Sequence, residues 1–340
     1  MMSFSANARS ARQDHAACSG CNLCLLVCPV WRQTRDFALT PHGRAKALQH
    51  GADIAAITAS IESCTVCGAC EPVCPEHIDL VEMIVELRRK LPQSVAIQAL
   101  EKQMRGHAAR APATQPAARI MLLPGAALRN CPRTLARVIA LLGNAGKLAV
   151  AHDDGSDIAL ALETGASIPE QRLEQFLAPL RRLKTIVVAD GLLLRHLKLW
   201  LPQTKIAALG EALTGIDAVR RGLRATDLYV IEPRAYHADY ERLVKYYDRL
   251  RVEARCAFNL DLQRIAIPAT ARSLPQRLGL TAPDDGTHAR WILHGRAIAR
   301  IVVESLEDAA AFGSAVDCPV VHVADLADDE GQCEGTHAFS

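Results

Sequence analysis

Four cysteines at one spacing, used twice, constrain this chain more than any other feature. "CSGCNLCLLVCP" places Cys18, Cys21, Cys24 and Cys28 ahead of Pro29, and "CTVCGACEPVCP" places Cys64, Cys67, Cys70 and Cys74 ahead of Pro75, so both runs read C-x2-C-x2-C-x3-C-P. Three thiolates two residues apart in a tight loop wrap three corners of an iron-sulfur cubane, while the fourth, carried beyond them, points toward a different cluster. The proline that follows has no N–H and releases the chain from the loop. Zinc is the competing partner of four cysteines, but zinc ribbons use two separated C-x2-C pairs rather than three evenly stepped cysteines closed by Cys-Pro. A disulfide framework belongs to short secreted chains, and eight of the twelve cysteines in these 340 residues sit in the two runs.

The spacing is that of bacterial ferredoxins, in which the fourth cysteine of each run ligates the other cluster. Carried onto this chain, that rule expects two 4Fe-4S clusters. Cluster 1 takes Cys18, Cys21, Cys24 and Cys74, and cluster 2 takes Cys64, Cys67, Cys70 and Cys28. Between the runs, "TPHGRAKALQHGADIAAITASIESC" reads as two helices, the first with Thr40 as N-cap and Pro41 in its first position. The second carries Ile54, Ile57, Thr58 and Ile61 on one face. After the second run, Leu80, Ile84, Leu87 and Leu91 form one helical stripe, with Asp79 at its start and Arg88, Arg89 and Lys90 at its end, where the helix dipole favours cations. An insert of this kind predicts an α-helical ferredoxin rather than the compact β-rich type.

Two such runs around a helical insert with a "PHGR" turn (Pro41 to Arg44), followed by "CGACEPVCPEHIDLVEMIVELRR", resemble the iron-sulfur subunits of glycolate, lactate and anaerobic glycerol-3-phosphate dehydrogenases and are similar to the heterodisulfide reductases of methanogens. The resemblance covers residues 10–92. It implies clusters that pass electrons from a flavin subunit toward a quinone or another acceptor. It also implies, after the ferredoxin part, two cysteine-rich domains, each with a Cys-Cys-Gly and a late C-x2-C.

The remaining chain keeps the frame of such domains without their ligands. Short apolar runs such as "RIMLL", "KLAV", "TIVV" and "KIAA" alternate with helical segments, which predicts α/β layers with mostly parallel sheets. "TIVVADGLLLRHLKLWLPQTKIAALGEAL" and "RIVVESLEDAAAFGSAVDCPVVHVADLA" match in pattern, so an internal duplication of roughly 100 residues is expected. The fold class is therefore α+β multidomain: a ferredoxin domain over 1–92, a linker over 93–117, degenerate α/β units over 118–225 and 226–328, and a polar tail over 329–340. Pro124, Gly125 and Ala126 stand where the resemblance expects Pro-Gly-Cys; His152 to Gly155 covers the Cys-Cys-Gly position, and Asp190 to Leu194 that of the late pair. In the second unit Arg234 stands for a cysteine, and Ser305 to Asp308 for the late pair.

The other cysteines, Cys131, Cys256, Cys318 and Cys333, reproduce neither set; Cys131 and Cys318 read as small hydrophobes and Cys333 as exposed in the tail. His152, Asp153 and Asp154 read as a solvated turn, with a metal or carboxylate-acid role as the sharper alternative. His237 with Tyr236, Tyr240, Tyr246 and Tyr247 reads either as core packing or as a partner-docking face. Trp31 and Phe37 are expected to shield a cluster from water.

Composition excludes several classes. The formal charge of +2 contains no block of like charges, so nucleic acid is not an expected partner. No stretch reaches the ~18 apolar residues of a membrane span, no apolar signal core stands at the start, and no P-loop or Gly-rich dinucleotide fingerprint is present. A cytoplasmic location is expected, at the inner face of the membrane if partners recruit the chain there. The expected role is an electron-transfer subunit with no bond-making chemistry of its own, working between an FAD-containing dehydrogenase subunit and a quinone or other acceptor. Two alternatives stay open: a heterodisulfide-reductase-like catalyst whose third metal site uses His152, Asp153 or Cys131, and a cluster-based redox sensor.

Overall fold

The computed structural model describes residues 14–109, 119–144, 147–282 and 286–331. In the insert between the cysteine runs, Thr40 caps the helix Pro41–Gln49 by accepting the Gly43 N–H at 3.1 Å, with Pro41 first in the helix. The second segment begins as a single 3-10 turn, Ala55–Ile57, and continues as the helix Thr58–Ser63. Gly43 is needed for contact rather than conformation, because a Cβ there would collide with the Phe37 carbonyl oxygen, a backbone atom that cannot turn aside. Gly43→Ala is expected to cost about 1–3 kcal/mol in chemical unfolding, the usual range for overpacking. A cost below about 0.5 kcal/mol would contradict the contact.

The helix Leu80–Arg89 starts at Asp79, whose Oδ1 accepts the Glu82 N–H at 3.2 Å, and buries Leu80, Ile84 and Leu87. Its end corrects the dipole reading. Arg89 and Lys90 face solvent, but Arg88 is fully buried and serves the interior. The stretch expected as a linker is also structured. The helix Val95–Ala109 occupies much of it, and Glu101 accepts the Thr164 hydroxyl at 2.9 Å, docking it on the helix Ser156–Thr164. Ile97, Leu100 and Met104 supply a helical stripe that the Ala- and Gln-rich composition obscured.

Two four-stranded parallel sheets follow. The first holds β1 (Ile120–Leu123), β2 (Leu148–Val150), β3 (Thr185–Val188) and β4 (Lys205–Ala208) in the order β2-β1-β3-β4. The second holds β5 (Asp227–Val230), β6 (Ala257–Phe258), β7 (Arg300–Val303) and β8 (Val320–His322) in the order β6-β5-β7-β8. Beyond their first residues, which include the Asp227–Arg300 ion pair, the central strands are apolar runs, as in parallel sheets covered by helices on both faces.

Alternation along the strands then sorts the core into layers. Met121, Leu123, Ile186 and Val188 join Ile61, Ile84 and Leu87, so the first sheet and the ferredoxin region share one core. Leu122 and Val187 point the other way, into a core with Tyr229, Tyr247 and Val302 between the two sheets. Leu228, Val230, Ile301 and Val303 close the far side against Phe312 and Ile292. The tyrosine segment is part of the middle layer. Asp239 divides it into the helices Pro233–Ala238 and Tyr240–Ala254; Tyr236 and Tyr247 are 1% exposed and His237 5%. The packing reading therefore holds for His237, Tyr236 and Tyr247, which are buried, with the Tyr236 and Tyr247 rings 5.7 Å apart, while Tyr240 and Tyr246 are half-buried.

Candidate metal centre

The two cysteine loops share one backbone design. Gly20 and Asn22 in the first run, and Val66 and Gly68 in the second, occupy matching positions two and four residues after the leading cysteine, and all four have positive φ. Repeated left-handed residues curl each loop around its cysteines. Val66, β-branched at φ 47°, is a strained choice for such a position, and strain of this kind persists where surrounding structure imposes it. Beyond each loop the chain leaves at Cys-Pro. Cys28 caps the helix Pro29–Thr34, with Pro29 in its first position.

The folded loops bring the cysteines together in two cavities. One is lined by Cys18, Cys21, Cys24 and Cys74 with Pro41, His42, Ala45, Ile78 and Leu80. The other is lined by Cys28, Cys64, Cys67 and Cys70 with Pro29, Val30, Leu39, Val66 and Val81, and shares Pro41 and Leu80 with the first. Each cavity thus takes three cysteines from one run and the fourth from the other. Burial, followed by the charges of Cys18, Cys21 and Cys74, pushes the Cys24 thiol up to about 12. Cys28 also rises to about 12, through burial and then Cys67 and Cys64, against backbone N–H groups that lower it. Four ionised thiols could not share such a space without compensating positive charge, and a cubane supplies it by giving each thiolate its own iron. The residues present fit that group.

Neither Trp31 nor Phe37 lines a cavity, and Phe37 is 43% exposed, so the shielding expected of them falls instead to Pro29, Val30, Leu39, Val66, Leu80 and Val81. Arg32 sits over the Trp291 ring at 4.5 Å and Arg35 over the Trp31 ring at 5.8 Å.

Side-chain groups engage the backbone carbonyls of each loop. Lys46 Nζ and Gln49 Nε2 both donate to the Cys18 carbonyl at 3.0 Å. At the second loop, Arg88 donates to the Cys64 carbonyl at 2.6 Å, Arg234 to the Thr65 carbonyl at 2.7 Å, and His237 Nδ1 lies 2.7 Å from the Cys67 carbonyl. Both arginines end on Glu163. Arg88 lies 3.5 Å from its carboxylate and donates to its backbone carbonyl at 2.7 Å, Arg234 donates to the carboxylate at 2.6 Å, and Arg277 at 3.1 Å. Burial alone would raise the Glu163 pKa, but Arg234, Arg277 and Arg88 together hold it far below the usual carboxylate range. This junction ties the ferredoxin helix, the first sheet's unit and the second sheet's unit to one loop. Its only signal in the sequence is Arg234 at a position where the resemblance expects cysteine.

The other residues singled out in the sequence scatter. Asp153 pairs with Arg172 at 2.8 Å and Asp154 with Arg129 at 2.5 Å, while His152 faces solvent, so "HDDG" is a pair of arginine-bound carboxylates rather than a solvated turn or a metal site. Cys131 contacts Thr134 at 3.1 Å, Cys256 is buried in the middle core, Cys318 lies on the far core, and Cys333 falls outside the described residues. In contrast, Pro124, Gly125, Ala126, Asp190, Arg234, Ser305 and Glu307, from four of the ligand-free positions, line one cleft.

Glu304 also lines that cleft, accepting from Tyr229 Oη at 2.7 Å and Tyr247 Oη at 2.6 Å. Burial pushes its pKa up to about 7 against the pull of those hydroxyls. An acid with a raised folded-state pKa binds more protons folded than unfolded, so it makes stability fall as pH rises from about 4.5 to about 7 and then level off. Glu304→Gln is expected to flatten the part of this fall measurable above about pH 6. An unchanged slope in unfolding midpoints against pH would contradict the shift.

Residues 14–78 match the 4Fe-4S dicluster domain family. No curated protein and no solved structure matches the chain. Among the described residues no helix is long and apolar enough to cross a membrane. With the cysteine loops, the domain match makes this chain an iron-sulfur protein.

Proposed function

We propose that the chain is the electron-relay subunit of an oxidoreductase complex. Cys18, Cys21, Cys24 and Cys74 hold one 4Fe-4S cluster, and Cys28, Cys64, Cys67 and Cys70 hold the other. Single electrons pass between an FAD-containing dehydrogenase of the hydroxy-acid-oxidising type and a quinone or other acceptor, at the cytoplasmic face of the membrane when partners recruit the chain there. The observation that carries this reading is the pair of neighbouring cavities, each walled by four cysteines drawn from both runs and sharing Pro41 and Leu80 in their walls. The matching strand orders of the two sheets support an internal duplication whose units have become a scaffold.

Bound at these cysteines, the clusters supply reversible one-electron storage. The chain's own residues anchor the thiolates, exclude water and set the local charge. Cavity 1 opens outward beside the exposed Cys21, Asn22 and Leu23, whereas cavity 2 lies beneath both α/β units with Arg88 and Arg234 on its loop. Buried positive charge favours the reduced, more negative state, so the cluster at Cys64 is expected to have the higher midpoint potential. Arg234→Met should lower that potential in an EPR-monitored titration and leave the other cluster unmoved; equal shifts at both would contradict the assignment.

The function is tested by isolating the chain with its flavoprotein from the native cell under anaerobic conditions. Adding the flavoprotein's substrate should bleach the iron-sulfur absorption, with recovery on adding a quinone. Clusters that stay oxidised while the flavin is reduced would refute the relay, and a redox-dependent change in partner affinity without electron flow would favour the sensor.

A further inference from the structure

Pro41 opens the helix Pro41–Gln49 and lines both cysteine cavities. The next residue, His42, lines the first, walled by Cys18, Cys21, Cys24 and Cys74, and not the second. His42 is 7% exposed, and its Nδ1 is buried without a hydrogen-bond partner. The other polar side chains on that wall besides the cysteines, Ser19, Asn22 and Glu76, are exposed or half-buried. His42 is thus the one buried hydrogen-bonding side chain that the polypeptide adds to the cysteines of the first cavity.

The surroundings of the ring fix its position. Phe37 packs against it with centroids 5.0 Å apart. Lys46, one helical turn on and so on the same face, donates to the Cys18 carbonyl at 3.0 Å and ties that face to the first cysteine loop. Gly20 of the loop meets both side chains: a Cβ there would lie 3.3 Å from Lys46 Cε and 3.8 Å from His42 Cε1. Cε1 stands between the two ring nitrogens, so the nitrogen-bearing edge is turned toward the loop that carries Cys18 and Cys21.

We propose that His42 donates an imidazole N–H to a sulfur of the cluster held by Cys18, Cys21, Cys24 and Cys74, and so raises that cluster's midpoint potential. An imidazole carries at least one N–H in either protonation state. A buried polar atom without a partner marks a place where a group other than the polypeptide completes the bonding, and cubane sulfurs accept hydrogen bonds. A bond to sulfur stabilises the more negative, reduced state, which is the direction of the shift. His42 therefore narrows the gap that Arg88 and Arg234 open in favour of the cluster at Cys64. The inference deepens the relay reading and rests on its cluster assignment.

Two measurements on the full, cluster-loaded chain test this. In an EPR-monitored redox titration, His42→Phe, which keeps a ring against Phe37 and removes the donor, should lower the potential of the first cluster and leave the second unmoved. His42→Asn, whose amide nitrogen takes the place of Nδ1, should recover part of that loss. Pulsed EPR of the unaltered chain, grown with histidine carrying the heavy nitrogen isotope, should show that nitrogen coupled to the first cluster, and His42→Phe should lose the coupling. The proposal is overturned if the first cluster keeps its potential in His42→Phe, if the Phe and Asn variants shift it equally, or if the unaltered chain shows no such coupling. Should His42→Phe hold only about four iron atoms, the labelled unaltered chain and the Asn variant decide the matter. The relay fails on a different observation, clusters that stay oxidised when the flavoprotein's substrate is added, and that outcome leaves the coupling to His42 in place.

Discussion

Replacing Cys74 with serine is expected to remove the cluster at Cys18, Cys21 and Cys24 and to spare the one at Cys64, Cys67 and Cys70, although Cys74 lies in the second run. Cys28→Ser should do the reverse. The reason is geometric: Cys74 lines the first cavity and Cys28 the second. Iron should fall from about eight to about four atoms per chain in each variant, with complementary EPR signals remaining. If Cys74→Ser instead silences the signal belonging to Cys64, Cys67 and Cys70, the runs do not cross.

The second large effect concerns Glu163. Replacing it with alanine leaves Arg88, 0% exposed, and Arg234, 9% exposed, without the carboxylate on which both converge. Breaking a buried ion pair from one side typically costs about 3–5 kcal/mol, a large share of the ~5–15 kcal/mol that holds a folded domain. Chemical unfolding should show that loss, and the cluster at Cys64 should be lost first, since both arginines hold its loop. A cost below about 1 kcal/mol would mean that water or a neighbouring carboxylate replaces Glu163. Glu307, which already shares Arg277, is the nearest such group in the junction.

What the sequence made legible follows from how local each signal is. The cysteine loops, Thr40 and Asp79 as helix caps and the apolar strand runs depend on neighbours within a few residues, and all are found as expected. The junction at Glu163 was not legible, because Arg88, Glu163, Arg234 and Arg277 are distant in sequence and each alone reads as a surface charge. Arg88 illustrates the error: at the end of a helix it satisfies the dipole rule, yet it is drawn inward by the Glu163 and Cys64 carbonyls. The tyrosines of 236–247 looked amphipathic because their hydroxyls are polar, whereas Tyr247 spends its hydroxyl on a buried carboxylate. The helix Val95–Ala109 was missed because its apolar stripe is only half-buried.

The same distance effect explains the cleft. Ala126, Asp190, Arg234 and Ser305 each stand where the resemblance expects a ligand at a separate place, and only the strand order gathers them at one crevice. Where the resemblance expects thiols, the cleft carries carboxylates and guanidiniums, while both cysteine loops are complete.

The most direct test of the relay is EPR of the chain purified anaerobically and reduced chemically, with iron quantified on the same sample. Two clusters as close as the shared walls at Pro41 and Leu80 imply should give a spectrum broadened by magnetic interaction, with about eight iron atoms per chain. A single isolated signal with about four iron atoms, or no iron at all, would contradict the account.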